Sequence, residues 1–310
     1  CVESFYAISY ANLSVGGRIE SCVMTSIKMR IDDESTAPET PSFEYTAGQG
    51  GLREGLDDIR DGLSRTRLIT TMVGNDFSSR YKGTLLGAFW LTATALMTVL
   101  GLGLIYSQVF QTDFKSYLPF VALGMMIWGV ISSIITEGTG VFSNARGVFT
   151  QMRVPLSLFA FTLIGRAIVT FFFRGIVIVP LLFIKGDAIS FVSVLEAVAG
   201  LALLFWIGLW AAFPLGMLGA RFRDTSQFTS AFVTFAFFVT PVFWQADRLG
   251  AYSYLIDFNP LFHFINVVRG PLLSEPQVAM SFMVTAAFAV VMPMIALVCL
   301  AAFRRRLPYW

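Results

Sequence analysis

Arg166 and Arg174 stand eight residues apart inside 154–184, a stretch otherwise built mostly of Leu, Ile, Val and Phe. On a helix that spacing separates them by about 12 Å along the axis and about 80° around it. A charge in such a stretch is costly and faces a cavity, a partner or a transport pathway. Two guanidiniums so placed suit phosphate, pyrophosphate or acidic sugars. They equally suit pairing with Glu196 in the next apolar stretch, or snorkelling to a polar interface. Other chemistry is sparse. His263 is the single histidine of the chain, which argues against a histidine metal site or a Ser-His-Asp triad. Cys1, Cys22 and Cys299 show neither metal spacing nor a disulfide framework. Asp247, Asp257 and His263 form no catalytic pattern of a glycosyltransferase or ligase. No GxxxxGK[ST] run is present, so any ATP is bound by another chain and no cofactor is expected on this one.

The elements that must position these arginines are membrane spans. Hydrophobic residues make up 55% of the chain and charged ones 14%, a balance no soluble domain of this length needs. The runs 83–112, 116–136, 197–220, 225–246 and 276–303 hold no charged residue. Each is near or above the ~20 residues a helix needs to cross about 30 Å of hydrocarbon. The stretch 154–184 is a sixth span: its apolar residues contribute roughly −6 to −11 kcal/mol on an insertion scale, against roughly +5 to +7 for two central arginines. Basic residues gather in alternate gaps. Arg65, Arg67, Arg80 and Lys82 precede the first span, Arg146 and Arg153 follow the second, Arg221 and Arg223 the fourth, and Arg304, Arg305 and Arg306 the sixth. The positive-inside rule therefore puts both termini in the cytoplasm. No basic face points to nucleic acid. Mid-span acids or histidines of the kind a secondary transporter uses are limited to Glu196.

Residues 1–51 read as a disordered tail or an artefact of an over-extended start, acidic and rich in Pro, Thr, Ser and Gly from Asp32 onward. Over 52–82, Leu56, Ile59, Leu63, Ile69, Met72, Val73 and Phe77 recur at helical spacing. That stripe predicts an amphipathic helix lying on the cytoplasmic membrane surface. A soluble helix packed on a partner is the alternative. Gly83 with Gly87, and Gly200, Gly208 and Gly216, have the spacing of close helix contacts within or between subunits. Trp90, Tyr106 and Trp244 are the aromatics best suited to stack on sugar rings, although interfacial belts also place Trp at span ends. The stretch 255–273 is apolar but broken by Pro260, Gly270 and Pro271, which predicts a re-entrant or interfacial pair of short helices within 250–275.

Five segments carry a family resemblance. RYKGTLLGAFW, from Arg80 to Trp90, resembles the opening of ABC-2 type permeases that export polysaccharides. NARGVFTQMRVP (from Asn144 to Pro155), GARFRD (from Gly219 to Asp224), NPLFHFINVVRGPLL (from Asn259 to Leu273) and the tail FRRRLPYW resemble further segments of that family in the same order. The match covers 56–310. Gly83 or Thr84 stands where the family usually has serine, and Thr150 and Gln151 stand where it has a basic residue. The resemblance implies an all-α polytopic membrane protein of the ABC-2, or type V exporter, fold: six transmembrane helices in 83–310 behind an N-terminal interface helix. It implies a permease subunit of the bacterial inner membrane that moves a lipid-linked O-antigen or capsule-type polysaccharide. Its partners would be a separate ATPase, which binds ATP and Mg, a second copy of itself and membrane lipids. A drug, a lipid or a teichoic-acid-like polymer is the alternative cargo. The segment 140–154 would couple to the ATPase through Asn144, Arg146, Gly147, Phe149 and Arg153; Arg221, Arg223 and Asp224 would form a second contact or a gate. Arg166, Arg174, Trp90, Tyr106 and Trp244 would line the conduit. Asn259, Pro260, Arg269 and Pro271 would form the extracytoplasmic gate. Plainer roles remain open beside these: topology-setting charges, a turn-fixing Arg–Asp pair, and a loop tucked on the bundle.

Overall fold

The computed structural model describes residues 52–151, 154–184, 190–246, 250, 254–304 and 306–307. The readings for 1–51 and Arg153 lie outside the described residues, as do parts of the 140–154 and 250–275 segments. Among the described residues every regular element is a helix, as hydrocarbon requires: a helix satisfies its own backbone. In chain order they are α1 (Leu52–Ser64), α2 (Thr66–Tyr81), α3 (Phe89–Val109), α4 (Phe114–Gly140), α5 (Arg146–Gln151), α6 (Ser157–Gly175), α7 (Ile178–Ile184), α8 (Phe191–Arg221), α9 (Thr225–Val239), α10 (Tyr254–Asp257), α11 (Pro260–Leu273) and α12 (Val278–Phe303).

Five of these, α3, α4, α6, α8 and α12, are long and apolar enough to cross a membrane. The expected fifth span is α9, whose 15 residues reach about 22 Å at 1.5 Å per residue. It stops at Thr240 because Pro241 follows: the residue before a proline is pushed into extended backbone, and Thr240 has ψ 134°. Side-chain oxygens of Asp113, Ser190 and Asn259 cap α4, α8 and α11 by accepting an early N–H of each helix.

The core is built around α4 and α8. α8 packs on α4, α6, α11 and α12; α4 packs on α3, α6, α9 and α11. Glycine makes the tightest crossings possible. A Cβ on Gly219 would lie 1.8 Å from the carbonyl oxygen of Thr139, and one on Gly124 2.1 Å from that of Val242. Gly200, Gly208 and Gly216 meet Val267, Ile134 and Val141, so the contacts these three serve lie within the chain. Gly83 and Gly87 do something else. They sit in the turn between α2 and α3 at φ +81° and +56°, with nothing within 4 Å of a built Cβ. Their spacing serves left-handed backbone rather than helix contact.

The N-terminal stripe is divided between two helices that break at Arg65, whose φ −95° and ψ 39° leave the helical region. α1 docks on α6 and α12 through Gly55, Asp58 and Gly62, while Leu56 and Leu63 stay exposed beside that face. α2 packs along α6, where Val73 seats against Gly165.

Gly219→Ala should force α4 and α8 apart and cost about 1–3 kcal/mol, as overpacking does. Thermal unfolding of the detergent-purified protein checks this: the midpoint should fall, while Gly74→Ala, with open space around it inside α2, should hold or raise it, since Ala favours a helix over Gly.

Candidate functional site

Arg166 projects from α6 into a charged junction. Its Nη1 donates to Asp76 Oδ2 on α2 at 2.6 Å, and its Nη2 to Glu137 Oε2 on α4 at 3.1 Å. Arg80, one turn beyond Asp76 on α2, places Nη1 3.6 Å from Glu137 Oε1. Two guanidiniums and two carboxylates thus balance where three helices meet. The carboxylates are not the one expected, for Glu196 is exposed on α8. Glu137 escaped notice because it follows the uncharged run 116–136 by one residue, yet the helix continues through it to Gly140.

Arg174 lies two turns further along α6. Its Nη1 is 2.1 Å from where a Cβ on Gly129 would sit, so only glycine at 129 leaves room for the guanidinium. Arg166 opposite Glu137 and Arg174 opposite Gly129 show that α4 and α6 run antiparallel. No carboxylate pairs with Arg174 among the described residues. It faces a cavity of about 220 Å³, with Arg80, Tyr81, Ser133, Glu137, Arg166 and Thr170 on its polar wall. It also borders a second space of about 190 Å³, walled by Thr94, Thr98, Met126 and Trp128. Arg166 is therefore neutralised by its neighbours, whereas Arg174 is a half-buried cation turned to open space between a polar and a mainly apolar chamber.

The remaining candidates fall into three places. Asn144, Arg146 and Gly147 lie on an exposed turn and the short helix α5, with Ala145 buried beneath them. The side chain of Phe149 is outside the described set. Arg221, Arg223 and Asp224 are exposed where α8 ends and α9 begins. Asp224 makes no capping hydrogen bond, and the Arg221 guanidinium lies 5.9 Å from the Phe222 ring. The Gly219–Thr139 crossing puts these two segments at the same end of the bundle.

At the other end of α4 lie the residues expected to form a gate. Asn259 caps α11 and donates to Thr240 Oγ1 at 3.0 Å, and Pro260 follows at the first helical position. Pro271 is in the last turn of α11, buried with Arg269. Arg269 is 2% exposed. It donates through Nη1 to the carbonyls of Pro241 (3.1 Å) and Val242 (3.3 Å), pairs through Nε with Glu275 (3.1 Å), and lies 4.0 Å from the Phe120 ring centroid. Tyr117 donates to the carbonyl of Phe243 next door. His263 was set aside for lack of partners in sequence. It bonds Ser281 Oγ at 3.0 Å and the Asp257 carbonyl at 2.9 Å. The carbonyl can only accept, so Nε2 donates to it.

The three aromatics are not brought together. Tyr106 packs on Phe110 and Phe243, and Trp244 donates to the Phe238 carbonyl at 3.3 Å. Trp90 is exposed near the opposite end of α3. None of the three lines either chamber.

Comparison with known proteins places this arrangement. The sequence profile described as "ABC-2 type transporter" matches residues 67–273. The O-antigen export system permease protein RfbA of Myxococcus xanthus is 23% identical over 211 residues, covering 66% of this chain and 79% of that protein. The protein of the same name from Klebsiella pneumoniae is 25% identical over 197 residues, covering 63% and 75%.

Arg269→Ala should cost about 3–5 kcal/mol, because it strands Glu275 and two carbonyls in a dry site. Adding Glu275→Gln should recover part of the loss, measured as thermal midpoints of the single and double variants.

Proposed function

Since the chain belongs to the ABC-2 type transporter family, we propose that it is the membrane permease subunit of an ATP-driven exporter. The cargo in this reading is a lipid-linked polysaccharide of O-antigen or capsule type, moved across the bacterial inner membrane. The observation that carries it is the match to two O-antigen export permeases, over three quarters or more of each.

Six spans make up this reading, α9 being completed by the turn at 240–246, with both termini in the cytoplasm. Two copies form the conduit. A separate ATPase pair binds ATP and Mg and docks on the end of the bundle bearing α5 and the 221–224 turn. A short helix wedged against a moving partner delivers a rigid push to the spans it joins. Here those spans are α4 and α6, the two helices whose facing surfaces hold the Arg166 junction and Arg174. Arg174 is the residue offered to the cargo's phosphate groups. Glu137 shares the cavity but is paired with Arg166 and Arg80, so a phosphate gives Arg174 a direct partner, and the chamber has room for it. Arg166 holds that chamber's walls together and is a positioning residue. The segment around α10 and α11 closes the far end.

Deleting the gene in its host, with surface polysaccharide and intracellular lipid-linked glycan both quantified, should remove the first and accumulate the second. Normal surface glycan would refute the reading, and loss of both pools would point to synthesis. In the same assay Arg174→Ala should lower export about tenfold or more, the scale of one hydrogen bond between charges. Arg174→Lys should retain part of it, and both should assemble with the ATPase.

A further inference from the structure

Asp58 is the least explained carboxylate of the chain. Its side chain is wholly buried. Oδ1 accepts from the backbone N–H of Leu156 at 3.1 Å and Oδ2 from that of Ser157 at 2.9 Å, so an acid on α1 caps the start of α6. These are among the N–H groups that a helix start leaves without partners, and the helix dipole favours an anion there. Arg304, at the end of α12, donates through Nη2 to the same Oδ1 at 2.9 Å and through Nη1 to the Glu54 carbonyl at 2.8 Å. Ser157 completes the clasp by donating from Oγ to the Asp58 carbonyl at 2.7 Å. Gly62 lies one helical turn further, so close that a Cβ there would be 2.2 Å from Ser157 Oγ.

Three elements separated by about 100 and 250 positions in the chain thus share one carboxylate. Opening the clasp would strand a buried anion, two helix N–H groups and a guanidinium at once. The Asp58–α6 joint also comes only five residues after α5 ends. We propose that Asp58 is the joint through which movement of α5 reaches α1 and the end of α12, so that α1, α6 and α12 travel as one body during transport. This rests on the reading of α5 as the segment the ATPase pushes. It gives α1 a role beyond floating on the membrane surface: its docked face is the joint, and Leu56 and Leu63 remain outside it.

The test is a reversible staple. In Gly62→Cys/Ser157→Cys the two Cβ atoms start 3.1 Å apart. A small shift brings them into disulfide range, about 3.5–4.5 Å. The variant is reconstituted with its ATPase, and export and ATP hydrolysis are measured oxidised and reduced. The joint predicts that oxidised and reduced forms export within about twofold of each other, as two parts of one body should. It also predicts that Asp58→Asn lowers export per ATP hydrolysed by about tenfold, the scale of one lost charge-assisted hydrogen bond. Oxidising the staple in the Asp58→Asn background should restore most of that coupling, with ATP hydrolysis unchanged throughout, whereas a merely destabilised complex would lose hydrolysis and export together. Export that collapses on oxidation and returns with reductant would overturn the proposal, because α1 and α6 would then have to part. Undiminished coupling in Asp58→Asn would overturn it too. If Asp58→Asn does not reach the membrane, the staple in the parent protein decides alone. Absence of export from the parent complex itself would count against the exporter reading instead.

Discussion

A guanidinium held among hydrocarbon needs a counter-charge or carbonyl supplied by the protein, and this bundle is tied together where that need is met. Arg166 joins α2, α4 and α6 through Asp76 and Glu137. Arg269 joins α11 to the turn after α9, to Glu275 and to the Phe120 face of α4. Arg304 joins α12 to α1, and through Asp58 to α6. In each case one fork of fixed donors reaches elements far apart in the chain, a geometry that a lysine's single ammonium does not reproduce. Apolar packing between helices is weakly directional when lipid is the competing solvent. Charged forks supply direction: they set which helix lies beside which, and at what height.

Glycine supplies the closeness that makes those forks reach. Gly129 leaves the space that Arg174 occupies, and Gly124 lets the Val242 carbonyl approach α4 within range of Arg269. Gly219 brings α8 onto Thr139, which aligns the α5 segment with the turn at 221–224. The two devices are interdependent. A methyl group at any of these positions would displace an acceptor or a guanidinium as well as a backbone.

Five of the six expected spans were legible because hydrocarbon writes them as long apolar runs; the run 225–246 overstated its helix because Pro241 ends it. In the stretch expected to be broken by Pro260, Gly270 and Pro271, Asn259 and Pro260 mark a helix start, while Gly270 and Pro271 lie within the last turn of α11 and do not break it. The partners of the arginines were not legible. Asp58 meets Leu156 across 98 positions and Arg304 across 246, and no local pattern encodes such a pairing. The apolar stripe of the N-terminal region marks its docked face only in part: Ile59, Met72 and Val73 pack on the bundle, while Leu56 and Leu63 stay exposed. On α1 the fully buried positions are Gly55, Asp58 and Gly62, and two small residues and an acid give no hydropathy signal. Gly83 and Gly87 misled for a related reason: spacing alone does not separate a helix-contact glycine from one required by a positive φ.

Pairing also separates the charges that build the protein from the one left over. Arg166, Arg269 and Arg304 each pair with a carboxylate of the protein, so an arriving anion would compete with that carboxylate. Arg174 displaces nothing. It sits between two chambers, opposite a glycine that clears its path, with no carboxylate paired to it among the described residues. A cation kept in that condition inside a membrane bundle is unfavourable for folding alone. In the reading proposed above, a passing phosphate is the partner that offsets this cost, arriving and leaving where a resident carboxylate would stay.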